Sequence, residues 1–185
     1  MLKKVVIIGP ESTGKSTLCE QLAGYYETTW CPEYAREYLL AHGKKYSYGN
    51  LLAIAKGQIA LEDTYIIQAS SHHSPLTTHH FPLFIDTDMY VMKVWCEFVF
   101  GKCHHYILDQ VKKRKYDLYL LCNTDLPWVK DELREYPDLE TRKRLYHIYK
   151  DMMSKQPVPW VEISGNKEER LLNAITAVDL ILKNE

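Results

Sequence analysis

Apolar residues recur along the chain in two alternating rhythms. Short, nearly unbroken apolar runs stand at 4–8 (KVVII), 82–86 (PLFID), 117–122 (DLYLLC) and 158–163 (VPWVEI), with a fainter one at 28–31 (TTWC) closed by Pro32. A strand buried on both faces requires runs of this kind. Between them the apolar positions space out to helical intervals. Residues 15–26 carry Leu18, Leu22 and Tyr25 or Tyr26; 34–69 form a long helical region broken near HGKKYSYGN; 88–114 are helical with an interruption near Gly101. The run from 124 turns helical to about 154, and the last helix sets Leu171, Leu172, Ile175, Val178, Ile181 and Leu182 on one face. Residues 70–81 (SSHHSPLTTHHF) are polar and aperiodic and read as loop. Strands alternating with helices predict an α/β fold, a five-stranded parallel sheet covered on both faces as an α/β/α sandwich. No repeat, low-complexity tract or linker divides it, so 1–185 reads as one domain.

Composition narrows the class. Apolar residues make up 46% of 185, enough for a sizeable core. The 23 basic and 24 acidic side chains leave a net charge of −1, so no basic field remains to hold nucleic acid. Five scattered cysteines without a C-x-x-C pair suit reduced thiols acting as small packing residues. The apolar run behind Lys3 and Lys4 is too short for a signal peptide, and nothing later reaches membrane-spanning length. The expectation is a soluble, cytoplasmic chain without a nucleic-acid or membrane partner.

The first strand runs into Gly9-Pro10-Glu11-Ser12-Thr13-Gly14-Lys15-Ser16, a full G-x-x-x-x-G-K-[ST] match with a strand before and a helix after it. The spacing lets the backbone turn with its N–H groups inward, an anion nest completed by the helix N-terminus. Lys15 is expected at the β- and γ-phosphates and the Ser16 hydroxyl on Mg²⁺. Gly9, Glu11, Ser12, Thr13, Gly14, Lys15, Ser16 and Thr17 form the expected ATP-binding set. Glu11 puts a negative charge beside this nest, and the chemistry of the loop alone gives no reason for it. The fold expectation becomes a P-loop NTPase sandwich with a helical lid over about 124–156. A GTPase is disfavoured, because the nearest N-K-x-D candidate, CNTD at 122–125, lacks the lysine.

Transfer to an alcohol needs a magnesium anchor and a carboxylate facing the hydroxyl, both at the C-terminal ends of parallel strands. PLFID has the form of a Walker-B strand, which makes Asp86 the first candidate for the magnesium shell. Asp88 either meets the substrate or caps the helix beginning at Met89. Glu33 is either the base for the acceptor hydroxyl or half of an ion pair with Arg36. After the fourth strand, Trp128 reads as a core plug or a stacking platform. Arg134, Arg142 and Arg144 stand where a lid would cover the phosphates, and arginine there neutralises developing charge. Lys143 and Lys150 read as solvated. The pairs His72-His73, His79-His80 and His104-His105 lack metal-ligand spacing and read as surface residues.

GPESTGKSTL, PEYAREYL, FIDTDMYVMKVWCEFVFG and YDLYLLCNTDLPWVKDELRE together resemble the ribosylnicotinamide kinase domain of the bacterial NadR family, from the P-loop to about residue 135. The resemblance implies a nucleotide-kinase-like P-loop fold that phosphorylates the 5′-hydroxyl of nicotinamide riboside with ATP and magnesium. It does not extend to an adenylyltransferase or helix-turn-helix domain, for which no room is expected upstream of the loop. Carried over by position, it implies catalytic roles for Lys15, Glu33, Asp86 and Arg134, with Glu33 or Asp86 facing the 5′-hydroxyl, and a substrate set of Tyr34, Arg36, Asp88, Trp128 and Asp131. Trp128 with Tyr34 or Tyr38 would stack on the cationic pyridinium, and Asp131 would complement its charge or hold the ribose. A kinase of another nucleoside or nucleotide, and a regulatory ATP-binding switch, are the alternatives.

Overall fold

The computed structural model describes residues 1–71 and 80–183. Five strands, β1 (Leu2–Ile8), β2 (Trp30–Cys31), β3 (Phe81–Asp86), β4 (Leu118–Cys122) and β5 (Trp160–Ile163), form one parallel sheet in the order β2-β3-β1-β4-β5. β1 is central, with Val5 opposite Phe84 on one side and Leu118 on the other. Among the described residues seven helices accompany the strands: α1 (Lys15–Tyr25), α2 (Tyr34–His42), α3 (Tyr48–Ser71), α4 (Met89–Phe100), α5 (His105–Lys113), α6 (Leu139–Lys155) and, after the last strand, α7 (Lys167–Lys183). The expected breaks fall at 43–47 and at Gly101. Of the expected loop at 70–81, Ser70 and Ser71 close α3, Phe81 opens β3, and 72–79 lie outside the described residues.

Strand alternation sorts the side chains into two layers. Val5 and Ile7 of β1 point with Leu120 and Cys122 toward Leu18 and Leu22 of α1 and Ala174 and Val178 of α7. Val6 and Ile8 point with Ile85 and Leu121 toward Val91 and Val94 of α4 and Tyr146, Tyr149 and Met153 of α6. A third cluster joins α2, α3, α4 and α5 through Leu39, Leu51, Ile54, Met92 and Ile107. This helical pack stands beside the sheet and walls one side of the site.

The expected lid over 124–156 divides in two. Helix α6 buries Leu145, Tyr146, Tyr149 and Met153 and belongs to the core, because those positions recur at helical spacing on one face. Only the irregular stretch between Cys122 and Leu139 lies over the P-loop.

Tyr34 shows how closely the helical pack is fitted. A Cβ built on Gly57 of α3 would stand 2.0 Å from Cε1 of the Tyr34 ring, so the ring lies on the bare backbone of that helix. Gly57→Ala should therefore destabilise the protein by about 1–3 kcal/mol, although alanine is the better helix former by about 1 kcal/mol. In a Tyr34→Ala background the same change should be neutral or stabilising. Urea unfolding of the four proteins checks this, and a Gly57→Ala protein more stable than the parent would contradict the packing.

Candidate active site

The P-loop leaves β1 at Gly9, whose φ is 138° and whose missing Cβ would meet the Cys122 carbonyl at 2.7 Å. A glycine there lets the loop sit directly on the end of β4. Inside the turn, Thr13 Oγ1 and Lys15 Nζ donate to the Pro10 carbonyl at 2.7 and 3.0 Å. Helix α1 begins after Gly14 with no side-chain cap, which leaves its first N–H groups without a capping acceptor at the end of the loop.

The outward carbonyls of the loop are held by two buried arginines. Arg142 of α6, 2% exposed, donates to the Ser12 carbonyl at 3.1 Å and to that of Leu126 at 3.3 Å. Arg170 of α7 donates to the carbonyls of Thr13 (3.1 Å), Gly165 (2.9 Å) and Asn123 (3.0 Å) and pairs with Asp125. Arg142 was expected among the lid arginines; the structure puts it under the loop, because its place on α6 faces the core. Arg144 lies over the Phe98 ring, 5.3 Å from its centroid. Arg170 carries no motif that would single it out in the sequence.

At the end of β3, Asp86 is 1% exposed and accepts from Ser16 Oγ at 2.5 Å. Burial pushes its carboxyl above the ordinary range, while Lys15 and the Ser16 hydroxyl pull it back. The next residue, Thr87, has φ 78°, a left-handed conformation costly for a β-branched side chain. This turn sends Asp86 toward the P-loop and Asp88 toward α4. Asp88 accepts from the N–H groups of Tyr90 and Val91 at 2.9 and 3.3 Å and from the Tyr119 hydroxyl at 2.9 Å. It is thus the helix cap and does not line the cavity described next.

That cavity, about 290 Å³, runs from the P-loop to a wall built by α2, α4 and the irregular stretch after β4. The loop residues from Gly9 to Thr17 line one end. Glu33, Arg36 and Arg134 line it beyond them, with an aromatic wall of Trp95, Phe98, Tyr136 and Tyr149. Burial and neighbouring Asp86 push the Glu33 carboxyl up, opposed by Lys15 and Arg36. Trp95 is fixed in place: its Nε1 donates to the Tyr46 hydroxyl at 2.8 Å, which donates to Glu135 at 2.8 Å.

The expected substrate residues divide. Arg36 lines the cavity and pairs with Asp131 at 2.9 Å; the Leu133 N–H and Arg36 hold the Asp131 carboxyl below its usual range. Tyr34 packs on Gly57, and Tyr38 stacks on His42. Trp128 turns away to a shallow depression with Leu126 and Pro127, its Nε1 donating to Glu11 at 3.2 Å. Trp95 and Phe98 of the aromatic wall come from α4, where the sequence pattern reads only as a buried helix face.

His104 stacks on Tyr48 and meets its carbonyl at 2.8 Å, and His80 lies 3.4 Å from the Met1 carbonyl. The other members of the first two histidine pairs fall at 72–79, outside the described residues. Among the described residues no cluster of three metal-ligating side chains occurs, and no helix is long and apolar enough to cross a membrane.

A model of the AAA domain family matches residues 4–170, spanning the P-loop, the Asp86–Asp88 turn and Arg170. The chain belongs to this AAA domain family. It is 27% identical over 184 residues to the trifunctional NAD biosynthesis/regulator protein NadR of Salmonella typhimurium and 28% identical over 182 residues to that of Escherichia coli. Each match covers 96% of this chain but only 42% of the relative, so the chain spans less than half the length of those proteins. Among solved structures, a NadR protein in complex with NR superposes with a TM-score of 0.76 at 21% identity, covering 99% of this chain and 52% of that one. Thymidylate kinase from Ehrlichia chaffeensis superposes with a TM-score of 0.69 at 14% identity, over 96% and 98% of the two chains. The shared architecture is the parallel α/β sandwich of P-loop proteins.

The Arg170 contacts carry a stability prediction. Arg170→Met should cost about 3 kcal/mol or more, because three carbonyls lose this donor and Asp125 loses its cationic partner, and Arg170→Lys should recover only part of it. Denaturant unfolding reads both; a loss under about 1 kcal/mol for the methionine variant would contradict the network's importance.

Proposed function

We propose that the protein is an ATP-dependent nucleoside kinase that phosphorylates the 5′-hydroxyl of nicotinamide riboside. The observation that carries the reading is the charge pairing at the acceptor end of the cavity. Arg36 pairs with Asp131 and Lys44 with Glu132, each at 2.9 Å. A nucleotide acceptor brings a phosphate that needs uncommitted cations, whereas these are engaged. An aromatic wall with carboxylates near it suits an acceptor whose ring is cationic and which carries no phosphate; stacking on Trp95 or Phe98 is worth about 0.5–2 kcal/mol. The likeness to NadR proteins, one of them solved with NR, supports the same choice.

The P-loop N–H groups and Lys15 hold the triphosphate of ATP, as the related structure with NAD and AMP-PNP supports. Ser16 and Asp86 offer a hydroxyl and a buried carboxylate within 2.5 Å of each other, a hard-oxygen pair that fits Mg²⁺. Bound there, the ion would neutralise charge on the phosphates. Glu33 faces the cavity and takes the proton of the acceptor hydroxyl as its oxygen attacks the γ-phosphorus and ADP leaves. Arg134 stabilises the charge that develops on the phosphoryl oxygens. Asp86, engaged with Ser16, is left to the metal.

An ADP-release assay over nicotinamide riboside, the common nucleosides and their monophosphates tests the reading. Turnover should be near background with ATP and Mg²⁺ alone and highest with nicotinamide riboside. No turnover with any acceptor sinks the kinase, and preference for a monophosphate sinks the charge argument. Glu33→Gln should lower kcat about 100-fold or more with little change in ATP binding. Because the base must be ionised and its proton affinity is raised, wild-type kcat/KM should fall on acidification at a higher pH than an exposed glutamate would give. That acid limb should vanish in the glutamine variant.

A further inference from the structure

Glu11 occupies the second variable position of the phosphate loop, where an added negative charge works against the anion the loop holds. Its hydrogen bonds give it a different task. Oε1 accepts from the Tyr136 N–H at 2.7 Å and from Trp128 Nε1 at 3.2 Å, and Oε2 accepts from the Glu135 N–H at 2.9 Å. These donors stand at the two ends of one excursion of chain, 128–136. The neighbouring Ser12 adds a fourth bond, accepting from the Val129 N–H at 3.0 Å.

Between those two feet the excursion reaches across to the acceptor wall. Asp131 holds Arg36 of α2, Glu132 holds Lys44, and Glu135 accepts from Tyr46, which orients Trp95 of α4. A single carboxylate on the donor loop therefore anchors the piece of chain that organises the acceptor side. No other side chain of the loop makes more than one bond to this excursion.

We infer that Glu11 is a positioning residue that fastens the 128–136 excursion to the P-loop, so that filling the loop with a triphosphate also sets the acceptor wall for attack. The inference rests on the kinase reading for its catalytic consequence, but the clasp itself does not depend on which acceptor is used. A rigid loop has one place for the Glu11 carboxylate, and anion binding fixes that loop further. Its three partners then inherit the loop's order, and the acceptor affinity rises with it by reciprocal linkage.

The test compares the wild type with Glu11→Ala and Glu11→Gln in two measurements. The first is hydrogen–deuterium exchange with AMP-PNP bound. Glu11→Ala should speed exchange at the amides of Glu135 and Tyr136 by about tenfold or more, leaving the amides of β1 and β3 unchanged. Glu11→Gln keeps one oxygen for Tyr136 and turns an NH₂ group to Glu135, so it should restore protection at Tyr136 alone. Unaltered exchange at both amides overturns the clasp.

The second measurement is steady-state kinetics with nicotinamide riboside beside AMP-PNP binding. Glu11→Ala should raise the KM for the riboside about tenfold and lower kcat, without a matching loss of AMP-PNP affinity, since the change also removes a negative charge beside the phosphates. AMP-PNP should tighten riboside binding in the wild type and lose that effect in the alanine variant. Equal losses of AMP-PNP and riboside affinity would overturn positioning in favour of general damage to the loop. Absence of turnover in the wild type overturns the kinase reading instead, and the exchange measurement then decides the clasp by itself.

Discussion

Turning a backbone so that its N–H groups face an anion forces its carbonyls outward, and each buried carbonyl needs a donor. This constraint organises most of the molecule around residues 9–16. Pro10 is served from within by Thr13 and Lys15, Ser12 by Arg142 from α6, and Thr13 by Arg170 from α7. Two helices far along the chain thus end their packing against the sheet by delivering a guanidinium to the loop. Arginine suits the task because one planar group serves several carbonyls, as Arg170 does while also pairing with Asp125.

The same arrangement separates the chemistry into two halves. On the β3 side, the Thr87 turn gives one carboxylate to the P-loop and one to the start of α4. The helix so capped carries Trp95 and Phe98 to the cavity wall. On the β4 side, the irregular stretch to α6 carries Arg134 to the cavity and is tied to the loop through Glu11 and Ser12.

Much of the fold was legible because it is written in short-range patterns. Runs such as KVVII and DLYLLC have too many consecutive apolar residues for a half-exposed strand, and both lie at the centre of the sheet. The phosphate loop is a contiguous motif, and Asp86 follows from its place at a strand end. What the chain order hides is contact across more than a hundred residues. Glu11 meets Trp128 and Tyr136, Arg142 meets Ser12, and Arg170 meets Thr13. An arginine in a charged helix gives no local sign that it will be buried, so Arg142 reads as a lid residue until the fold is seen. Trp128, conspicuous in its polar surroundings, reads in the sequence as a plug or a stacking platform and bonds Glu11 instead, while Trp95, inside an apolar helix, stands on the cavity wall.

In the proposed reaction one continuous cavity takes ATP at the P-loop and a phosphate-free riboside at the aromatic wall, aligned for transfer. A bisubstrate compound, adenosine and nicotinamide riboside joined 5′ to 5′ through a polyphosphate, measures that alignment directly by calorimetry. The account predicts binding about 100-fold tighter than AMP-PNP, because the second half binds as an intramolecular event. Binding no tighter than AMP-PNP, or unchanged when the riboside is removed from the compound, would contradict it.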